Sequence, residues 1–188
     1  MTRKPRTDAA TNRRHIVTVA RAAFADEGLD LPIREIARRA GLGVATVYRH
    51  FPTRADLVTA ALTEHVAACR ADMRAALDEP DAWRALSRTI RRFAEHQVRD
   101  RGLNEALFGS HAAAAAFAED RRAHASGLEL LVDRARSAGA IRAEVTAADV
   151  RIGLTAIASF RAPRPEQATA SLQRLVRLLL AGLSAQQR

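Results

Sequence analysis

Cysteine is almost missing from this sequence: Cys69 is the sole one in 188 residues. One thiol cannot close an internal disulfide, so nothing in the chain argues for an oxidising compartment. Long apolar runs are missing too. The longest, Ala112 to Ala118, is too short to cross a bilayer, and the opening MTRKPRTDAATNRRHIV has positive charge but no apolar core of a secretory signal. No membrane association is expected, and the cytoplasm is the expected compartment. Strand-like alternation, repeats and a low-complexity tail are all absent. So are a Gly-rich phosphate loop, clustered carboxylates, a nucleophile elbow and metal-ligand spacing among the histidines. The expectation is therefore no catalysis, no cofactor and no metal, with Cys69 read as packing within an apolar stripe.

What is present is positive charge at one end. The chain has 30 Lys+Arg against 21 Asp+Glu, a net of +9. Residues 1–54 hold eleven basic against five acidic residues, net +6 (11 − 5), and the other 134 hold nineteen against sixteen, net +3 (19 − 16). Such asymmetry points to a polyanionic partner near the N-terminus; a basic surface that serves solubility alone is the competing reading.

The periodicity predicts an all-α chain of about nine helices. A first helix from about Thr11 to Glu27 places Ile16, Val19, Ala20, Ala23 and Phe24 on one face, and Gly28 ends it. Pro32 suits the first position of a second helix, which Gly41 stops. A third covers Val44 to His50. A long fourth, from about Arg54 to Leu77, carries a stripe of Val58, Leu62, Val66 or His65, Cys69, Met73 and Ala76. A fifth, about Asp81 to Asp100, aligns Trp83, Leu86, Ile90, Phe93 and Gln97, and Arg101-Gly102 is read as its stop. Further helices are expected near Leu103 to Ser110, Ala113 to Ala138 before Gly139, Ala147 to Phe160 after a Thr146 cap, and Pro165 to Ser184 after a Pro163-Arg-Pro165 break.

Residues 33–51, IREIARRAGLGVATVYRHF, meet the demands of a helix-turn-helix. Ala37 is small where two helices must approach closely, Gly41 allows a positive φ in the turn, and Ile36, Leu42 and Val47 clamp the pair. Gly43 is an acceptable N-cap for the second helix of the pair. Val44, Ala45, Thr46, Tyr48, Arg49 and His50 then include most of what faces outward, and a major groove admits such a helix. The competing reading is a structural helical hairpin.

Residues 11–57, above all IREIARRAGLGVATVYRHFPTRADL, resemble the N-terminal DNA-binding domain of the TetR family of transcriptional regulators. The shared pattern is an alanine-glycine turn followed by a threonine, a tyrosine, a histidine-phenylalanine pair and a downstream basic residue. The resemblance implies that Thr46, Tyr48 and His50 contact phosphates, that Arg54 does so where a lysine is usual, and that Arg34 reaches base edges or phosphate. Val44, Ala45 and Arg49 occupy its variable, base-reading positions. Two departures stand out: Pro32 replaces the usual capping Ser or Thr, and Gly43-Val44-Ala45 replaces a more polar start to the recognition helix. Few polar base readers remain, which keeps a sequence-tolerant or architectural DNA-binding protein as the alternative; an all-helical enzyme is a third class, without a catalytic constellation to support it.

Arg3, Lys4 and Arg6 precede the first helix as a short basic arm over 1–10, suited to a minor groove or to phosphates, with a merely solvated tail as the competing reading. The resemblance implies the rest of the organisation: a helix-turn-helix domain over 11–53, and a ligand-binding and dimerisation domain over 54–188. The stretch DAWRALSRTIRRFAEHQVRDRGLNEAL resembles a subgroup of TetR-like regulators from actinobacteria. Apolar faces on the last two helices, Val150, Leu154, Ile157 and Ala158 with Leu172, Leu175, Val176, Leu179, Leu180 and Leu183, suit a four-helix bundle between two copies or completion of the chain's own core. His65, Cys69, Met73, Trp83, Phe93, His96, Phe108 and His111, with Phe117 and His124, are the candidate lining of a small-molecule pocket. The expected protein is a homodimeric repressor that a small effector releases from palindromic operator DNA.

Overall fold

A computed structural model describes residues 5–109, 111–160 and 167–185, with the side chains of 5–8 and 97–99 left out. Among the described residues there are nine α-helices and no strand. They are α1 (Pro5–Glu27), α2 (Ile33–Arg39), α3 (Val44–His50), α4 (Arg54–Asp78), α5 (Ala82–Arg99), α6 (Arg101–Phe108), α7 (Ala118–Ser137), α8 (Ala147–Ser159) and α9 (Ala168–Leu183), with a 3-10 helix over Ala112–Phe117. The all-α expectation holds.

Four boundaries differ from the sequence reading, each for a physical reason. First, α1 starts at Pro5 instead of near Thr11, because proline's fixed φ suits a first helical position and RTDAAT contains no breaker. Residues 5–10 are thus helical; Arg3 and Lys4 lie outside the described residues. Second, Pro32 is the N-cap of α2, extended at φ −62° and ψ 141°, and the helix opens at Ile33. Third, Arg101-Gly102 does not stop α5 but opens α6. Asp100 caps this helix, its Oδ1 accepting the Leu103 N–H at 2.8 Å, and a Cβ at Gly102 would lie 2.9 Å from both Cβ and carbonyl oxygen of Phe24. The glycine serves close approach to α1. Fourth, the expected helix from Ala113 begins as the 3-10 segment, bent at Ala114 (φ −99°, ψ 17°), before α7 takes over. The Pro163-Arg-Pro165 break and Ser110 lie outside the described residues, as does the side chain of Gln97.

The chain divides into two compact units. One comprises Met1–Ala67 with Asp100–Glu119, the other Ala68–Arg99 with Asp120–Arg188. In the first, Ile16, Ala20, Ala23 and Phe24 of α1, Ile36 and Ala37 of α2, Val47 of α3, and Leu57, Val58, Ala61 and Leu62 of α4 are all buried. Polar ties add direction: His15 Nε2 donates to the Ala40 carbonyl at 3.1 Å, and Arg21 reaches both the Ala61 carbonyl and Glu64. The second unit has its own core, built from Leu86, Ile90 and Phe93 of α5, Leu128, Leu131 and Val132 of α7, Val150, Leu154 and Ile157 of α8, and Leu172, Val176, Leu180 and Leu183 of α9. Thr146 and Asp149 form a reciprocal capping box at the start of α8. Gly139, at φ 64°, ends α7. The chain then passes through an isolated antiparallel bridge between Ile141 and Ser184, where the Arg142 N–H donates to the Leu183 carbonyl at 3.1 Å.

Candidate nucleic-acid interface

Local sequence builds the α2–turn–α3 hairpin as expected. Ala40 closes α2, Gly41 turns at φ 64°, and the Leu42 N–H returns to the Ala37 carbonyl at 3.0 Å. Gly43 leads into α3 with no side-chain cap, the Thr46 N–H donating to its carbonyl at 2.9 Å. One residue of α3, Val47, is buried. Val44 is 40% exposed and Tyr48 46% exposed, Ala45 and Arg49 are exposed, and Thr46 and His50 are half-buried. Phe51, buried at the end of α3, carries the Arg13 guanidinium 5.0 Å from its ring centroid.

Charge on α2 is largely spent within the unit. Glu35 accepts from Arg38 at 2.7 and 2.9 Å and from Arg39 at 2.8 Å, and Arg39 also pairs with Glu27. The Arg38 hydrogen bonds, then that of Arg39, hold the Glu35 carboxyl at about 2. Arg34 stands exposed on the same helix. Arg54, at the head of α4, spends two of its five donors on backbone: Nη2 donates to the carbonyls of Leu29 and of Leu31, the latter at 2.7 Å.

The α1–α2 turn is gripped from α6 as well. The Leu29 N–H donates to Glu105 Oε2 at 2.6 Å, and Arg101 Nε donates to Glu105 Oε1 at 2.8 Å. Gly28, at φ 87°, is crowded by the ends of two side chains: a Cβ would lie 2.5 Å from Glu105 Oε1 and 2.8 Å from Arg101 Nε. His111 Nδ1 accepts the Ala113 N–H at 3.1 Å, so its Nε2–H is the group that donates to Asp30 Oδ1 at 3.0 Å. Glu105 and Asp30 carried no sequence signal, since their partners come from distant parts of the chain.

The candidate pocket residues divide between the two units. His65, Phe108, His111 and Phe117 fall in the first, and Cys69, Met73, Trp83, Phe93, His96 and His124 in the second. His65 Nδ1 donates to Asp100 Oδ2 at 2.8 Å. Phe108 is exposed and Phe117 buried. In the second unit Cys69 and Phe93 are buried, Trp83 packs half-buried on the core, and His96 is half-buried. Met73 lies so close to Gly127 that a Cβ there would be 2.7 Å from its Sδ. Burial pushes the His124 imidazole below its ordinary value. Three buried polar residues, Ser87, Asp100 and Asn104, carry no sequence signal of their burial, and Oδ1 of Asn104 has no hydrogen-bond partner.

Of the candidate interface residues, Leu154, Ile157, Leu172, Val176 and Leu183 are buried in the second unit's own core, and Leu175 and Leu179 pack against it half-buried. The large apolar side chains that α8 and α9 leave outside are Ile152, 69% exposed, and Leu178, 64% exposed.

Comparison with known proteins joins these observations. Residues 16–61 match the family described as bacterial regulatory proteins, tetR family. Residues 81–185, more than half of the chain, match the family described as transcriptional regulator SbtR-like, C-terminal domain. The TetR transcriptional regulator SCO0520 of Streptomyces coelicolor is 35% identical, over 92% of this chain and 98% of that one, with a TM-score of 0.59. A TetR regulatory protein of Mycobacterium vanbaalenii is 34% identical, over 95% and 98%, at 0.57. Likeness to the ketosteroid transcriptional regulator KstR2 of Mycobacterium tuberculosis is one of fold, 19% identical over 93% and 95% at a TM-score of 0.69. A helix-turn-helix transcriptional regulator of Staphylococcus aureus strain USA300 is 40% identical over 53 residues, which are 28% of this chain. The match spans 29% of that curated relative's length. With its helix-turn-helix and its C-terminal helices each matched, and full-length likeness above 30% identity, this chain belongs to the TetR family of transcriptional regulators.

Proposed function

We propose that this chain is a homodimeric repressor that binds a roughly palindromic operator and leaves it when a small molecule occupies its regulatory helices, acting in the cytoplasm by binding and not by catalysis. The observation that carries the reading is α3: Val47 alone is buried, while Val44, Ala45, Tyr48 and Arg49 stay exposed beyond a fixed glycine turn. Such a helix fits a major groove. Arg49 suits guanine through a bidentate pair, and Val44 and Ala45 suit a thymine methyl. Thr46, Tyr48 and His50 serve phosphates, Arg34 a base edge or a phosphate, and the remaining donors of Arg54 are those a phosphate would take.

Pairing of two copies is best supported through Ile152 and Leu178, since Leu154, Ile157, Leu172, Val176 and Leu183 are already occupied by the chain's own core. Gly182, inside α9, meets nothing within 4 Å of a built Cβ, so its own unit does not require a glycine there. A close partner backbone would. Two recognition helices must then sit about 34 to 36 Å apart to meet successive major-groove turns, and an effector that favours another spacing releases the DNA. No described helix is long and apolar enough to cross a membrane.

The test is fluorescence anisotropy on the DNA flanking the chain's own gene, beside a scrambled duplex, at two salt concentrations. Preference for the native duplex that survives the higher salt is the expected result, with Tyr48→Ala weakening all duplexes and Arg49→Ala changing which are preferred. The apolar, uncapped start Gly43-Val44-Ala45 favours a second reading, sequence-tolerant binding. Equal and salt-sensitive affinity for both duplexes would support it instead.

A further inference from the structure

We propose that His65, Asp100 and Asn104 form the polar end of an effector site that takes a hydrogen-bond donor, a hydroxyl or an amine, and rejects a carboxylate or phosphate. The inference rests on the reading of the chain as an effector-released regulator and names the chemistry of that effector. All three residues belong to the first compact unit, and each bond among them has a direction.

Asp100 is buried at 5% exposure, and both its carboxylate oxygens are engaged: Oδ1 accepts the Leu103 N–H at 2.8 Å and Oδ2 faces His65 Nδ1 at 2.8 Å. The proton of the neutral imidazole therefore sits on Nδ1, and Nε2 presents a lone pair. The side chain of His65 is 39% exposed, so this end of the cluster is open to an incoming molecule. Asn104 is fixed by the same residue, its Nδ2 donating to the Asp100 carbonyl at 2.8 Å. That bond settles the orientation of the amide and leaves Oδ1, wholly buried, with no partner. An unmet buried acceptor is rare, and its missing partner must be a donor.

With the His65 ring neutral, the cluster offers two acceptors, Nε2 and the Asn104 Oδ1, beside a buried carboxylate. The nearest sequence cation, Arg101, is turned to Glu105 at 2.8 Å. A second anion placed here would meet negative charge in a weakly solvated setting, whereas a hydroxyl or amine supplies what Oδ1 lacks. Asn104 also precedes Glu105, the residue that holds the Leu29 N–H. An occupant bonded to Asn104 acts on the same short helix that grips the α1–α2 turn.

The test uses three probes with one ring: benzyl alcohol, benzylamine and benzoate, titrated into full-length protein. The readouts are the side-chain amide signals of Asn104 and the ring signals of His65 by NMR. Saturable shifts at both residues with the alcohol and the amine are expected, with benzoate at least about tenfold weaker, the affinity equivalent of one hydrogen bond. Asn104→Leu should weaken the alcohol's effect on His65 by a similar factor, and Asn104→Ser, smaller and still polar, provides a second variant if leucine prevents folding. Equal or tighter binding of benzoate overturns the proposed chemistry. No response to any probe overturns the site itself and leaves Asn104 met by water alone. DNA anisotropy on the same sample separates the two readings: intact operator preference with silent probes removes only the effector site, and responsive probes without DNA binding remove only the regulator.

Discussion

Gly28→Ala should destabilise the chain by about 2 to 3 kcal/mol, two to three times the cost of Gly41→Ala. Both glycines have positive φ, 87° and 64°, so each alanine pays about 1 kcal/mol for the left-handed backbone. Space separates them. At Gly41 a Cβ meets nothing within 4 Å, whereas at Gly28 it lies 2.5 Å from Glu105 Oε1, 2.8 Å from Glu105 Oε2 and 2.8 Å from Arg101 Nε. Those atoms are the ends of flexible side chains and will swing aside, but in doing so Glu105 gives up the Leu29 N–H at 2.6 Å. A hydrogen bond to a charged group is worth roughly 1.5 to 3 kcal/mol, reduced to about 1 to 2 here because Glu105 is partly solvated. Urea unfolding followed by circular dichroism measures the sum, and amide exchange at Leu29 reports the lost bond directly. A double-mutant cycle isolates it: Glu105→Ala should cost about 1 to 2 kcal/mol beside Gly28 and almost nothing beside Ala at that position. Equal costs for the two glycine substitutions, or for Glu105→Ala in the two backgrounds, would falsify the reasoning.

Three other outcomes follow from separate parts of the chain. Gly102→Ala forces a methyl to within 2.9 Å of the Phe24 backbone carbonyl, which cannot swing away; a loss of about 1 to 3 kcal/mol in thermal unfolding is expected, and an unchanged melting temperature would show that α6 can shift off α1 at no cost. Leu178→Arg should halve the mass seen by analytical ultracentrifugation at micromolar concentration, while Leu172→Ala, in the core, should cost about 2 to 5 kcal/mol and leave the mass alone; a dimer that survives Leu178→Arg places the interface elsewhere. Glu35 is held at about 2 against an ordinary 4.5, so its folded value is depressed and its stabilisation is present above 4.5 and lost as pH falls toward 2. Glu35→Gln should flatten that acid limb, and an identical pH profile of melting temperature in both proteins would contradict the role of the Arg38 and Arg39 bonds.

Legibility in the sequence depended on how far each residue's partner lay along the chain. The α2–α3 hairpin was readable because its determinants are neighbours: Ile36 and Val47 buried, Gly41 at positive φ, and α3 over Val44 to His50. Gly102 reads as a stop because glycine commonly stands just past a helix end; its cause is Phe24, on a different helix. Asp100 looked like the end of α5 and proved to be the cap of α6 and the partner of His65. Periodicity also marked Leu154, Ile157, Leu172 and Val176 as a buried face but is silent on what buries them, and the answer was the chain itself. For the pocket candidates the sequence offered residue types without neighbours, and the structure distributes them over two units.

The carboxylates that face Arg21, Arg38 and Arg39 bear on how the protein would respond to salt. A phosphate contact lowers affinity with salt because the arriving cation frees ions condensed on DNA, about 0.9 per contact on a log–log plot. An arginine already neutralised by Glu64, Glu35 or Glu27 brings little charge to that exchange. The eleven basic residues of positions 1–54 therefore overstate the slope. Discounting those three makes it shallower by about 3 × 0.9, or nearly three decades of affinity per decade of salt.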